Sequence, residues 1–472
     1  MLGKGESCTG AGVQSGFMME LAIQRKQKDI SLIATLFIGM LLFRIFMDLA
    51  YWKGLAGQGV YPKVEFEPIK YAVSILWCVI LFFGIRHTEK KASTFLLYIV
   101  YISQIIPISV LYGLCDENSL YYHMLCLAFL VCEVLVGWTR DDVILKRNAK
   151  ASKVMYWGFG VAIILLLLEV IRQNGMPSLI ALNIFRVYEL RSSGEFQIGK
   201  YMNYLLKWTI SFVIPLFLAH TLRLRKYGWA LVFCGMQGLL YLYSGHKTML
   251  FAIPLVIVCS LWCKREKFYK EIFVLCYVGF IALCMFVVLA PVLRAYSEGA
   301  YTIGVRSYSM LCRRVLIDPA LAKFHYFEYF STRPLMGLGG VIPRWLIDIP
   351  NPYESIDYQH EIGGLYWGSY ETNAGTGFLA EGYFRFGLIG IFLILIIFAM
   401  LLKGIDHLQE RIGYGLTVSI FVYLVYSLVD AHLIDELLFG RWAIVLVFLV
   451  FCYRTKKWET IRQNKLGYHT LE

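Results

Sequence analysis

The sequence predicts an all-α, multi-pass membrane protein, and three observations carry that prediction. Hydrophobic residues make up 58% of the 472, charged residues only 17%, and mean hydropathy is +0.60. A water-soluble domain has no interior large enough to hide so much apolar surface. Apolar runs of about 17 to 25 residues recur along the chain, the length a helix needs to cross a hydrocarbon layer. Finally, lysines and arginines alternate between two sets of connecting segments, as short loops on opposite sides of a bilayer do.

Read in order, the runs cover 30–50, 69–85, 95–114, 120–138, 154–171, 203–222, 227–244, 249–263, 272–293, 387–402, 414–429 and 437–453. That makes about twelve spans, the eighth a short one. Ahead of them, residues 1–29 form a small-residue, glycine-rich leader expected to be disordered. No small-residue cleavage site follows the first run, so it reads as a retained anchor and not a removable signal. Residues 30–293 hold spans one to nine, 294–373 a long connecting loop, 374–453 spans ten to twelve, and 454–472 a tail. No internal repeat is evident.

The basic residues orient the chain. One set of segments carries Arg25, Lys26 and Lys28, then Arg86, Lys90 and Lys91, and then a group from Arg140 to Lys153. Arg223 to Lys226, Lys264 to Lys270, Lys403 with Arg411, and the basic tail from Arg454 complete it. Together these hold more than half of the 45 lysines and arginines. That side is expected to be the cytoplasm, with both termini on it. The loop holding Asp116 and Glu117 has no base, as an outside turn should. The net charge of +12 follows from this bias and needs no nucleic-acid partner. Most of the 12 cysteines fall inside apolar runs, where a thiol behaves as a small apolar group, and no metal site is expected.

Two outside segments break the rule. The first contributes Arg186 and Arg191; the second contributes Arg306, Arg313, Arg314, Arg333 and Arg344, with Arg385 just beyond. Guanidinium suits bidentate recognition of phosphate and stays charged at any accessible pH. The cluster therefore points to a phosphate-bearing or acidic ligand, while pairing with Asp318, Glu328, Glu361 and other nearby acids is the plain alternative. Within the long loop, 307–330 reads as short amphipathic helices lying on the membrane surface, divided or restarted at Pro319. The Gly- and Pro-rich stretch 333–352 reads as irregular chain, which implies an outward-facing cavity beneath it.

The chain then re-enters the membrane through Asn-Ala-Gly-Thr-Gly-Phe-Leu-Ala-Glu-Gly-Tyr-Phe-Arg-Phe-Gly-Leu-Ile-Gly at 373–390. If this stretch is helical, Glu381 and Arg385 share a face and can pair. It resembles the entry to a late span in the Wzy family, the polymerases that assemble oligosaccharide repeat units into bacterial O-antigen and capsule. Asn373, Gly377, Glu381, Tyr383 and Gly387 carry the match. Tyr-Ser-Gly-His-Lys at 243–247 is similar to the family's Ser-Gly-Ser-Arg turn, with Gly245 retained and His246 and Lys247 replacing the last two residues.

The resemblance implies a GT-C-like fold and a glycosyltransferase acting at the outer face of the cytoplasmic membrane. It would polymerise undecaprenyl-pyrophosphate-linked repeat units, with a chain-length regulator as a possible partner. A glycan ligase, or a flippase for lipid-linked sugars, is the alternative. Expelling a lipid pyrophosphate needs cations, and the acceptor hydroxyl needs a base. The pyrophosphate candidates are Arg306, Arg313, Arg314 and Arg385, supported by Lys247, Arg186 and Arg191. Glu381 is the first candidate base, replaced by His325 or His360 if Arg385 pairs with it. No cofactor is expected. Tyr308, Tyr326, Phe327, Tyr329, Trp345, Tyr366, Trp367 and Tyr370 are candidates either for stacking on sugars or for marking the interface.

Overall fold

A computed structural model describes residues 9–138, 145–177, 196–245, 247–263, 265, 268–339, 341–342 and 347–455. In chain order the helices are α1 (Thr9–Gly54), α2 (Pro68–Gly84), α3 (Ala92–Leu114), α4 (Ser119–Gly137) and α5 (Ala149–Asn174). Next come α6 (Tyr201–Arg223), α7 (Tyr227–Ser244), α8 (Lys247–Trp262) and α9 (Phe268–Val288). The long loop contains α10 (Ala290–Tyr296), α11 (Glu298–Tyr308), α12 (Asp318–Ser331) and α13 (Tyr358–Trp367). The chain finishes with α14 (Gly377–Ile412), α15 (Tyr414–Ser427), α16 (Leu433–Leu438) and α17 (Arg441–Cys452). Two three-residue strands, β1 (Leu145–Arg147) and β2 (Tyr453–Thr455), pair antiparallel.

The architecture is that of an α-helical membrane protein. Among the described residues seven helices are long and apolar enough to cross a membrane: α3, α4, α5, α6, α9, α14 and the Lys26–Gly54 part of α1. The expected count of twelve is not met by this measure. Four further apolar helices, α2, α15, α17 and Ala252–Trp262 within α8, are shorter. The eighteen residues of α7 include Gly228, Gly235, Gln237 and Gly238, which dilute its apolar character. The segment expected as a disordered leader is helical from Thr9 onward.

Burial separates central helices from peripheral ones. The apolar stretch of α3 is 94% buried inside the protein, against 22% for α5 and for α9. Side chains such as Ile164, Leu165 and Val278 are left open on the outer helices, the pattern expected where lipid is the solvent. α1 packs against α9, and α4 packs against α14.

Three π-helical segments, Tyr101–Ile105, Thr209–Val213 and Ser309–Ile317, interrupt otherwise continuous helical runs. Each ends two residues before a proline: Pro107, Pro215 and Pro319 respectively. Proline has no N–H and its ring crowds the carbonyl four residues back, so widening the preceding turn relieves the clash. Pro319 therefore starts α12 without ending the helical run. α12 does not lie on a membrane surface as expected; it is packed into the protein on every side, with Leu321, Lys323 and Tyr326 all at 0% exposure.

Hydrogen bonds sort the connecting segments into two ends of the molecule. At one end Asp406 accepts from the Ser93 N–H and hydroxyl, Arg223 donates to the Ile412 carbonyl, and β1 meets β2. At the other Lys70 donates to the Cys115 carbonyl, Tyr61 to Asp318, and Tyr326 to the Ala374 carbonyl. Each group draws its segments from one of the two sets that the basic residues separate in the sequence.

Candidate functional site

The site lies at the second end, where the 373–390 stretch meets the turn between α15 and α17. α14 is not one straight helix. Phe386 (φ −131°, ψ 16°) and Gly387 (φ 67°, ψ −155°) leave helical geometry, and a left-handed φ is one that glycine adopts without strain. The chain folds so tightly there that a Cβ on Gly382 would collide with the Gly390 carbonyl, and one on Gly390 with the Gly382 carbonyl. The break frees carbonyls at the end of the 377–385 segment. The irregular loop supplies the donors: Met336 N–H bonds the Phe384 carbonyl and Gly337 N–H the Arg385 carbonyl, each at 2.9 Å.

Glu381 and Arg385 share a face of this short segment and pair, with Arg385 Nε 2.9 Å from Glu381 Oε1. Both are buried, at 0% and 2% side-chain exposure. Glu381 also accepts the Ile434 N–H on both oxygens, at 3.1 and 3.3 Å. Arg385 donates through Nη2 to Asp435 at 3.0 Å and through Nη1 to the Gly337 carbonyl at 3.3 Å. Asp435 in turn lies 3.1 Å from His432 Nδ1. Burial acts to raise the Asp435 carboxyl, but the His432 hydrogen bond and Arg385 outweigh it and hold it below its ordinary value. The row Glu381–Arg385–Asp435–His432 thus ties the 373–390 stretch to the 430–436 turn.

This pairing moves Glu381 away from the role of base. Its carboxylate is sealed from solvent and committed to Arg385 and a backbone N–H, so it anchors the site. Arg385, a pyrophosphate candidate, is committed to two carboxylates and a carbonyl. His325 is also buried. Its ring stacks on Tyr366 at 4.2 Å, its Nε2 has no hydrogen-bond partner, and burial lowers its pKa to about 3. His360 is half-exposed on α13, with Nδ1 2.8 Å from the Tyr370 carbonyl.

Arg313 pairs as the plain alternative foresees. It donates to the Tyr61 hydroxyl at 2.6 Å and lies 3.7 Å from Asp318, which accepts from the same tyrosine at 2.7 Å. Arg333 lies 3.8 Å over the Tyr329 ring and 3.7 Å from Glu361. Arg306 and Arg314 are exposed, with Arg314 in electrostatic reach of Asp318. Arg186, Arg191, His246, Arg344 and Trp345 lie outside the described residues, and Lys247 opens α8. Gly245 is the left-handed C-cap of α7, φ 63°. Gly377 at φ 73° sits against the Val429 carbonyl, and Asn373 is exposed.

Several aromatic candidates form structure of their own. Tyr326 and Tyr329 join Phe330, Tyr353 and Phe384 in a small second core, and Tyr383 packs on Phe327 at 4.5 Å. Cys115 bonds the Tyr51 hydroxyl. Among the described residues no three His, Cys, Asp or Glu side chains gather as a metal site. Two residues not singled out in the sequence belong to this network, His432 and Asp435. Their signal was the Asp-Ala-His-Leu-Ile-Asp-Glu run at 430–436, three acids and a histidine between two apolar runs.

A recess at the opposite end lies among Gly84, Arg86, Glu89, Lys91, Ser93 and Glu133. Glu133 is 3% exposed and neither carboxylate oxygen has a hydrogen-bond partner. No family model matches the chain, and neither curated proteins nor solved structures provide a match.

Proposed function

We propose that the protein is a Wzy-type polymerase joining undecaprenyl-pyrophosphate-linked oligosaccharide repeat units at the outer face of the cytoplasmic membrane. One observation carries the reading. The stretch that resembles the family's late-span entry is folded into a tightly kinked, polar, buried unit, fastened to a second acid- and histidine-bearing turn. Apolar packing alone calls for neither the kink nor the charges. Burying charged groups is costly, so a buried ionic network of this kind supports a functional role for the stretch.

In this reading the termini are cytoplasmic, the shorter apolar helices also cross the bilayer, and the whole is a GT-C-like bundle of about twelve spans. Arg306 and Arg314, both exposed, receive the pyrophosphate. The transfer runs on arginines and a carboxylate, and a chain-length regulator acts beside it.

A second reading, a flippase for lipid-linked sugars, draws on Glu133, an unpartnered buried acid of the kind found along transport paths. Deleting the gene in the producing bacterium and resolving its surface glycan on a gel separates the two. Collapse of the ladder to a single repeat unit is the expected result. Loss of all attached glycan would instead favour the flippase or a ligase, and an unchanged ladder would remove all three.

A further inference from the structure

We propose, building on the polymerase reading, that Asp430, exposed beside the 373–390 stretch, takes the acceptor hydroxyl proton, with the buried Lys323 in electrostatic reach of it. Several other acids and histidines at this end are sealed or committed. Glu381 holds Arg385, Asp435 holds Arg385 and His432, Asp318 accepts from Tyr61, and Glu361 accepts from Tyr329. His325 and His432 are buried with their Nε2 atoms closed off.

Asp430 differs in being exposed, and its carboxylate makes no hydrogen bond or ion pair among the described residues. It lies against the backbone of the 373–390 stretch: a Cβ on Gly375 would stand 3.3 Å from the Asp430 carbonyl and 3.5 Å from its Cβ. Lys323 is wholly buried and its Nζ donates to the Pro319 carbonyl at 2.9 Å, which leaves two of its three ammonium hydrogens for other acceptors.

The groups in electrostatic reach of Asp430 are Lys323 and Asp318 on α12, Arg441 on α17 and Tyr426 on α15. The surrounding protein pushes the Asp430 carboxyl up, against the pull of Lys323 and Arg441. Burial brings Lys323 down to about 7, with Asp430 resisting. A reachable carboxylate held above its ordinary value is a stronger base than a free one.

In the step, the acceptor oxygen bonds to the donor's anomeric carbon as the bond from that carbon to the pyrophosphate oxygen breaks. The bonding pair leaves with undecaprenyl pyrophosphate, and the acceptor proton passes to an Asp430 oxygen and then to water. Arg306 and Arg314 stabilise the departing charge.

The test places Asp430→Asn, epitope-tagged, in the deletion strain. The expected result is a single repeat unit on the gel, with normal amounts of protein in the membrane. Lys323→Met is assayed in membrane vesicles supplied with lipid-linked repeat units extracted from that strain. Below pH 7 Lys323 is charged and favours ionised Asp430, so its loss should move the acidic limb of the rate profile up by about one pH unit. That shift decides the matter if the Asn variant fails to accumulate. A normal ladder from Asp430→Asn, or an unmoved acidic limb, overturns the proposal. A ladder that survives gene deletion overturns the polymerase reading and this inference with it. Collapse on deletion, reversed by Asp430→Asn, overturns this inference alone.

Discussion

Arg385 sits where three segments meet: its own short helix, the irregular loop at Gly337 and the turn holding Asp435. A planar fork of donors lets one side chain satisfy all three at once, which the single ammonium of lysine cannot reproduce. Removing it strands Glu381 at 0% exposure without its charge partner. Arg385→Ala is therefore expected to cost about 3 to 5 kcal/mol of stability, and Arg385→Lys to recover only part of it. Thermal unfolding of the purified protein in detergent checks this, and an unchanged melting temperature for the alanine variant would show the pair to be dispensable. The sequence spacing of Glu381 and Arg385 already put them on one face. Asp435, 50 residues further on, left no such trace.

Among the elements, α14 shows how a run that reads as one apolar helix becomes two pieces. The kink at Phe386 and Gly387 brings Gly382 and Gly390 into backbone contact, and side chains at either position have no room. Gly382→Val should therefore destabilise the protein by about 3 kcal/mol or more and deplete it from the membrane. Gly404→Val, in the same helix but facing open space, serves as the control and should accumulate normally. Equal abundance of the two variants, measured by immunoblot of membranes, would mean that the close approach is not required. The π segments teach a related lesson. The sequence read Pro319 as dividing or restarting a helix and ran spans straight through Pro107 and Pro215, yet all three follow a widened π segment in a continuous helical run. For Pro319 the neighbouring helices bury α12, so the expected surface helix became an interior one.

For the whole molecule, the hydrogen bonds gather several connecting segments at two ends, and the proposed orientation takes the more basic end as cytoplasmic. Single cysteines introduced into a background freed of native ones test the orientation with a membrane-impermeant maleimide on spheroplasts. Asp116→Cys and Glu371→Cys should label from outside, and Lys150→Cys and Arg265→Cys only after permeabilisation; all four positions are exposed. The reverse pattern would invert the topology and place the candidate site on the cytoplasmic side. Composition and run length were enough, by themselves, to determine a multi-pass helical protein, and the alternation of bases gave its loops an expected partition. They act locally, through the transfer of apolar segments into lipid and the resistance of basic loops to crossing. Only the tertiary structure decided that Glu381 and Arg385 anchor a network with Asp435 and His432, and that Asp430 stands open beside the 373–390 stretch. Those contacts join residues far apart in the chain, and the rule that orients membrane proteins gives acids little weight, so nothing periodic in the sequence announced them.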